Sequence, residues 1–185
     1  METSTKLDIL LLGSFTNMSI TGVYGLISVF SDIIIQYNVL IRSYFNPEIT
    51  AVFYTRSIYK FKLFFRSILK MSYLANIGFV ILLSLVLVFF VYKVPSLEAY
   101  IVGVNSLLIL AFFYILTGGF FICFQIFGQI GLPLTQSYAS LLLFLSNLIL
   151  NLILIPSFEI IGAALATGMS YIIFVFFILY RLKKL

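Results

Sequence analysis

The sequence predicts an all-α protein, a polytopic bundle of transmembrane helices, and three observations support this fold class. Of the 185 residues, 63% are hydrophobic and only 9% are charged, and the mean hydropathy is +1.20. Uncharged apolar runs are long enough to cross a bilayer, which takes about 20 helical residues. Glycine and proline interrupt these runs where turns are needed. We therefore expect a single membrane domain over residues 1–185.

Five full spans and one partial span are predicted in chain order. The full spans cover about 22–45, 71–92, 98–125, 134–155 and 160–181, and the partial span covers about 7–16. The uncharged run 99–158 is too long for one crossing, and the turn signal GQIGLP at 128–133 divides it. The partial span is half a crossing, so we expect the natural architecture to begin upstream of Met1. A cleavable signal peptide is disfavoured because Glu2 offsets Lys6, the only basic residue before the apolar run.

Positive charge predicts the orientation of the chain. Basic residues are concentrated in the segment 46–70 and in the C-terminal tail, and basic loops remain on the cytoplasmic side of a membrane. We expect both to be cytoplasmic in a multi-pass protein of the cytoplasmic (inner) membrane. Within the first segment, an amphipathic helix is predicted to lie in the inner headgroup layer. Its lipid-facing cations are Arg56, Lys60, Lys62, Arg66 and Lys70.

Two other interpretations of these basic residues are a topological anchor and a nucleic-acid-binding surface. A purely topological anchor explains them as well as lipid binding does, because the positive-inside bias alone requires basic loops. Nucleic-acid binding is not expected, since lipid is the nearer polyanion in so apolar a chain.

The residue inventory disfavours catalysis. The chain has no histidine, a single cysteine and only six acidic residues. A Cys/His metal site and an intrachain disulfide are therefore not expected, and Cys123 has no histidine to activate it as a nucleophile. We predict no enzyme activity, no catalytic residues, no metal site and no cofactor.

Polar residues inside the predicted spans are the main functional signal. At helical spacing they form two stripes, one in the first full span (Thr21, Gly25, Ser28, Asp32, Gln36 and Ser43) and one after Pro133 (Gln136, Ser140, Asn147 and Asn151). A carboxylate such as Asp32 at the bilayer centre costs about 2.5 to 3.5 kcal/mol, so it should face the bundle interior or water. The two stripes predict a hydrophilic cleft. The alternative is that they are hydrogen-bonding contacts between helices, worth about 0.6 kcal/mol each.

The last two predicted spans form a tight hairpin. Pro156 ends the first helix and Glu159 lies near the first turn of the next, where a carboxylate complements the helix dipole. Gly162, Ala166 and Ser170 then follow at four-residue spacing, which makes a smooth face for close helix packing.

Three segments of this chain resemble one transporter family. The sequence SNLILNLILIPSFEIIGAALATGMSYIIF resembles the C-terminal hairpin of polysaccharide and oligosaccharide flippases in the multidrug/oligosaccharidyl-lipid/polysaccharide superfamily. VYGLISVFSDIIIQYNVLIRSYFNPEITAVFY is similar to the eighth helix and following loop of that family, and GQIGLPLTQSY to its short inner turn between helices ten and eleven. Glu159 departs from the family, in which glycine is usual at that position.

The resemblance implies a function for a larger assembly. Family members have two six-helix halves, and this chain looks like the second half truncated in its first helix. It implies flipping of a lipid-linked oligosaccharide or polysaccharide precursor by alternating access, with membrane lipids, the glycan substrate and a missing N-terminal half or partner chain as partners. The cavity candidates on this side are Ser28, Asp32, Gln36, Arg42, Gln136, Ser140, Asn147 and Asn151.

Other functions remain open at this stage. A cation-coupled multidrug exporter of the same superfamily would use Asp32 to bind a proton or sodium. A non-transporting membrane scaffold for polysaccharide assembly would need no aqueous cavity. Arg42 could contact an anionic phosphate, although extension of its side chain to the interface explains its position equally well.

Overall fold

A computed structural model describes the chain over residues 2–55 and 57–183. Every element in these ranges is helical, in agreement with the predicted all-α class. The α-helices are α1 (Glu2–Phe15), α2 (Met18–Tyr54), α3 (Ile58–Lys93), α4 (Val104–Thr117), α5 (Ile122–Gln129) and α6 (Pro133–Leu182). Two 3-10 segments, Pro95–Gly103 and Gly118–Phe121, precede and follow α4. Arg56, one of the predicted lipid-facing cations, lies outside the described residues.

Four helical stretches in the described ranges are long and apolar enough to cross a membrane. They are Met18–Tyr54, Tyr59–Lys93, Pro95–Gln129 and Pro133–Leu182. These helices indicate a membrane protein. The predicted count of five spans is not confirmed, because the last two predicted spans lie within the single hydrogen-bonded element α6.

The α6 element reverses direction at Glu159. This residue has φ 48° and ψ −124°, far from helical values. Arg181 Nη2 nevertheless donates a hydrogen bond to Thr135 Oγ1 at 2.9 Å, although a straight helix would place these residues roughly 70 Å apart at about 1.5 Å per residue. The two arms, 133–158 and 160–182, therefore pack side by side. A fifth crossing stays a prediction.

Glu159 occupies a backbone conformation that suits glycine. A non-glycine residue at such a positive φ costs about 1 to 3 kcal/mol. We expect Glu159→Gly to raise the free energy of unfolding by about 1 kcal/mol, less than the full strain because glycine also has a more flexible unfolded state. Thermal unfolding in detergent measures the effect. Ser157→Gly, in the preceding helical turn, is the control and should destabilise, and a destabilised Glu159→Gly would contradict the strain.

The predicted cytoplasmic loop 46–70 is not a loop. The α2 helix continues through Pro47 to Tyr54, and α3 begins at Ile58 and runs to Lys93 without a break. Side-chain contacts favour this continuation: Thr50 Oγ1 donates to Gln129 Oε1 at 2.8 Å, and the Phe53 and Phe61 rings pack edge to face at 5.5 Å. The predicted separate interfacial helix is therefore the first part of α3.

The charged face of that segment keeps its predicted character. The side chains of Lys60, Lys62, Arg66 and Lys70 are all exposed. On the other face, Ile68 is buried, and Phe61, Phe64 and Phe65 are half-buried against the protein core. The apolar face thus packs on the protein as well as facing outward. Binding of the cations to lipid headgroups and the cytoplasmic side of the segment stay predictions.

A break inside the third apolar stretch was not predicted. The sequence predicted one helix over about 98–125, whereas the chain is 3-10 helical over Pro95–Gly103, α-helical in α4 and 3-10 helical again over Gly118–Phe121. A Cβ atom on Gly119 would lie 2.6 Å from Tyr73 Cα, so only glycine permits this approach to α3. The predicted turn at 128–133 is confirmed, with Gly131 at φ 83° and Pro133 opening α6.

The short helix α1 packs against both α2 and α6. Leu12 on α1 and Tyr24 on α2 are almost completely buried. The core continues through large aromatic side chains on the other helices, among them Tyr114, Phe121 and Phe174. The predicted partial span is therefore an integral part of the bundle, and it carries a polar side chain into the bundle interior.

Candidate functional site

The most unusual polar side chain in the bundle is Asp8 on α1, which is 0% exposed. Asp8 Oδ1 accepts a hydrogen bond from Asn151 Nδ2 at 2.5 Å. Asp8 Oδ2 accepts from Thr167 Oγ1 at 2.5 Å and from the Tyr24 hydroxyl at 3.4 Å. The carboxylate is thus surrounded by side chains from α2 and from both arms of α6.

Two asparagines complete this Asp8 cluster, which comprises Asp8, Tyr24, Asn147, Asn151 and Thr167. Asn151 Nδ2 also donates to Asn147 Oδ1 at 3.1 Å, and Asn147 Nδ2 donates to Thr167 Oγ1 at 3.3 Å. Each of the five side chains is at most 2% exposed. The cluster is therefore a continuous polar network inside an apolar bundle.

Local sequence explains how the cluster is assembled. Asn147 and Asn151 are four residues apart, so they lie on one face of the first arm of α6. The reversal at Glu159 brings Thr167 on the second arm opposite them. Gly162 lets the arms approach closely, since a Cβ there would lie 2.3 Å from the Leu154 carbonyl oxygen.

The Asp8 carboxylate accepts hydrogen bonds from uncharged groups in this cluster. The amide and hydroxyl groups that donate to Asp8 are all neutral. A carboxylate removed from water without an opposite charge is costly, and its hydrogen bonds offset only part of that cost. Ionisable residues buried within membrane helices are for this reason a mark of ion or substrate pathways.

The predicted stripe on α2 is only partly exposed on the surface of the bundle. Gln36 and Ser43 are exposed and Asp32 is half-buried. Ser28 is buried and donates to the Gly25 carbonyl of its own helix at 2.7 Å. The stripe therefore runs from the edge of the bundle onto its surface.

The predicted stripe after Pro133 divides into two parts. Asn147 and Asn151 are buried in the Asp8 cluster, whereas Gln136 is half-buried and Ser140 is exposed. One pocket of the bundle is lined by residues of α2, α3, α4 and the 3-10 segment Pro95–Gly103, and it includes no member of either stripe. A cleft between the two stripes stays a prediction.

Arg42 lies near the end of α2 beyond the stripe. Its guanidinium carbon is 5.9 Å from the centre of the Phe124 ring, within cation–π range. The side chain is half-buried, and its Nε is a buried donor without a hydrogen-bond partner in the described structure. This position leaves both predictions for Arg42, phosphate contact and extension to the interface, untested.

A second buried polar contact, also not predicted, joins three helices. Asn38 Nδ2 on α2 donates to Asn76 Oδ1 on α3 at 3.0 Å. Asn76 Nδ2 donates to the Tyr114 carbonyl of α4 at 2.8 Å, just before the break at Gly118. Both asparagines are buried. This contact has the geometry of a structural hydrogen bond between membrane helices.

The predicted packing residues lie where helices touch. Gly162, Ala166 and Ser170 are all buried on the second arm of α6, and Ser170 Oγ donates to the Thr167 carbonyl at 2.7 Å. Ala163, Ala164 and Gly168 are buried as well, so the close-packed surface is wider than a single stripe.

Asp8 was not predicted as a site residue, although the sequence around it contains a signal that could have identified it. The segment LDILLL places one carboxylate in an apolar run, and such a residue is by default a functional candidate. The segment is too short for a full span, however, so its carboxylate could be assigned to an exposed end. Only the packing of α1 against α6 shows that Asp8 is interior.

The fold and the site together indicate the class of the protein. It is a helical membrane protein with a buried polar cluster around one carboxylate, Asp8, and a partly exposed polar stripe on α2. Comparison with known proteins found no matching family model, no matching curated protein and no matching solved structure.

Proposed function

We propose that this chain is one half of a transporter that moves a lipid-linked oligosaccharide or polysaccharide precursor across the cytoplasmic membrane by alternating access. The observation that carries the transporter part is the polar α2 stripe on the surface of the bundle. The resemblance of three segments to polysaccharide flippases supplies the substrate class. The chain contributes binding and movement, with no bond made or broken.

The α2 stripe supports a half-transporter because of its position. Gln36 and Ser43 are exposed on the helix that carries Asp32, and a polar face of a membrane helix is more stable against water or another polar surface than against lipid. A cavity between two halves provides both, and alternating access requires two halves that move against each other.

Cysteine labelling tests this proposal in proteoliposomes. Cys123 is the single native cysteine and is buried, so Cys123→Ser is the background. We expect Gln36→Cys and Ser43→Cys to react with a membrane-impermeant thiol reagent, because they line a wet surface. Leu82→Cys, at an exposed apolar position in the middle of α3, should face lipid and remain unreactive.

Substrate then distinguishes the candidate functions. An undecaprenyl-diphosphate-linked oligosaccharide should slow the labelling of Gln36→Cys several-fold, while undecaprenyl phosphate without sugar should have a smaller effect. Protection by a hydrophobic cation such as ethidium instead would contradict the glycan substrate. Failure of Gln36→Cys and Ser43→Cys to react at all would overturn the cavity and favour a scaffold. Flipping by the chain alone would overturn the half-transporter.

A cation-coupled multidrug exporter is the second candidate, and one observation favours it. Two carboxylates among the side chains whose burial the structure describes are at least partly buried, Asp8 in the bundle interior and Asp32 at the edge of the bundle. Coupling ions in secondary transporters bind at such sites. Asp32→Asn should abolish transport by an exporter that uses this carboxylate, whereas a glycan cavity should only be weakened.

A further inference from the structure

We propose that the apolar pocket of the bundle, lined by α2, α3, α4 and the 3-10 segment Pro95–Gly103, binds one acyl chain of a phospholipid. The headgroup of this lipid would lie against Lys93 and Glu98. It would be zwitterionic, with a phosphate and a primary ammonium group as in phosphatidylethanolamine. Binding there is independent of the transport function proposed above, because the pocket includes no member of either polar stripe.

The lining of the apolar pocket suits a hydrocarbon chain. It comprises Leu26 and Ile27 of α2, Leu87 and Val91 of α3, Tyr100 and Gly103 of the 3-10 segment, and two aliphatic residues of α4. Leu26 is 40% exposed whereas Ile27 is 3% exposed, so the pocket runs from the bundle surface into the interior. Lipid chains are the apolar molecules at that surface in a membrane, and a chain in the pocket gains the dispersion contacts that a void would forfeit.

The 3-10 segment forms one wall of the apolar pocket. A 3-10 helix has three residues per turn, so Tyr100 and Gly103 lie on one face of it. Gly103 contributes backbone to the wall and lies close to α2, since a Cβ atom there would be 2.7 Å from Val23 Cγ1 and 2.8 Å from Ile27 Cδ1. Tyr100 contributes an amphipathic side chain. Such a tyrosine keeps its ring against hydrocarbon and its hydroxyl near the lipid headgroups.

The apolar pocket begins beside a charged end of the bundle. Val91 is two residues before Lys93, which lies in the last turn of α3. Tyr100 is two residues after Glu98, which lies in the first turn of the 3-10 segment. Leu87 is six residues from Lys93, or about 9 Å along the helix axis. The pocket therefore extends from the polar end of α3 into the apolar span, as an acyl chain extends from its headgroup.

The two charges at this end have opposite signs. Lys93 and Glu98 are both exposed, and they belong to consecutive elements separated by Val94. A phosphate complements the lysine and an ammonium group complements the glutamate. A purely anionic headgroup would be attracted by Lys93 but repelled by Glu98. This end therefore selects a zwitterionic lipid, in contrast to the exposed cations of segment 60–70, which suit anionic lipid.

Thermal unfolding of the purified, delipidated full chain in detergent tests the proposal. At a phosphatidylethanolamine concentration ten times the dissociation constant, the midpoint should rise by about 3 to 6 °C, because a lipid in contact with three helices binds only the folded bundle. Leu26→Trp fills the pocket from its exposed edge, so it should lose this response. Leu82→Trp, at an exposed apolar position of α3 outside the pocket, is the matched control and should keep it.

Photolabelling of the wild-type chain locates the lipid and reports its headgroup preference. Phosphatidylethanolamine with a diazirine in its acyl chain should label pocket residues such as Leu87 and Leu107 several-fold more than phosphatidylglycerol with the same chain. Glu98→Lys leaves two cations at the end of the pocket, so it should reverse this preference. Glu159→Lys makes the same charge change at another exposed position and should leave the preference unaltered.

Several results would overturn the proposal. One is the absence of label from the pocket of the wild-type chain, and another is a full lipid response in a folded Leu26→Trp. Equal labelling by the two phospholipids in wild type would overturn the zwitterionic headgroup, as would a preference that Glu98→Lys does not change. Stronger labelling of the pocket by a photoreactive undecaprenyl phosphate would assign it to a polyprenyl chain instead.

Discussion

Replacement of Gly162 by alanine should lower the free energy of unfolding by about 1 to 3 kcal/mol, the usual cost of forcing extra atoms into a packed interior. The added methyl group would lie 2.3 Å from the Leu154 carbonyl oxygen and 2.6 Å from its carbonyl carbon. These are backbone atoms of the opposite arm, so no side-chain rotation relieves the overlap. The two arms of α6 must move apart.

The consequence should extend to the Asp8 cluster. Separation of the arms moves Thr167 away from Asn147, whose hydrogen bond of 3.3 Å spans them. Gly162→Ala should therefore also weaken the hydrogen bonds of the Asp8 cluster. Thermal unfolding reports the loss of stability, and hydrogen exchange in the two arms of α6 reports their separation.

Gly78→Ala is the matched control. Gly78 lies in the middle of α3 with no atom within 4 Å of the position of an added Cβ. Alanine there should stabilise the helix by about 0.5 to 1 kcal/mol, because glycine is the more flexible residue in the unfolded chain. Equal effects of Gly162→Ala and Gly78→Ala would show that the arms of α6 are not in the close contact described above.

Replacement of Asn76 by alanine should be the second strongly destabilising change, with a loss of about 1 to 3 kcal/mol for two interhelical hydrogen bonds in a membrane protein. It removes the donor to the Tyr114 carbonyl and the acceptor from Asn38 Nδ2. The Asn38 amide keeps its hydrogen bond to the Ile34 carbonyl of its own helix at 2.8 Å, which limits the loss.

The 3-10 break beside Asn76 provides the specific readout. The Asn76 amide packs against Gly118, where a Cβ atom would lie 2.4 Å from Asn76 Nδ2. Loss of the amide should loosen the segment Gly118–Phe121 and speed hydrogen exchange there. Asn105→Ala, at an exposed position of α4, should change neither stability nor exchange appreciably. Unaltered exchange at Gly118–Phe121 in Asn76→Ala would argue against this role.

Particular residues show how far sequence reasoning reached. Long uncharged runs predicted the helical membrane class, and glycine with proline predicted the turn at 128–133, because these signals act locally on hydropathy and backbone freedom. The segment 46–70 was predicted as a cytoplasmic loop but is helical as far as Tyr54 and again from Ile58, and contacts of Thr50 and Phe53 with other helices favour the helical state. The break in the helix at Gly118 and Gly119 was not predicted, because it depends on the close approach of α3, a contact that the local sequence does not show.

The candidate site overlaps with the sequence prediction at two residues. Asn147 and Asn151 were predicted as a polar pair on one helical face, and they are two of the five side chains of the Asp8 cluster. Their role in a substrate pathway stays a prediction. Their partners lie 143 and 20 residues away in the chain, at Asp8 and Thr167 respectively. No periodicity within one helix can reveal a contact between three segments.

Sequence by itself determined the membrane class, the helical state and the polar faces of single helices, because composition and 3.6-residue periodicity are properties of each segment alone. Tertiary structure alone decided which of those faces are interior. Asp8 is buried because α1 packs against the α6 hairpin, whereas Gln36 and Ser43 remain exposed because none of the described helices covers them. Burial of a polar group depends on its neighbours in space, and that neighbourhood forms only when the helices assemble.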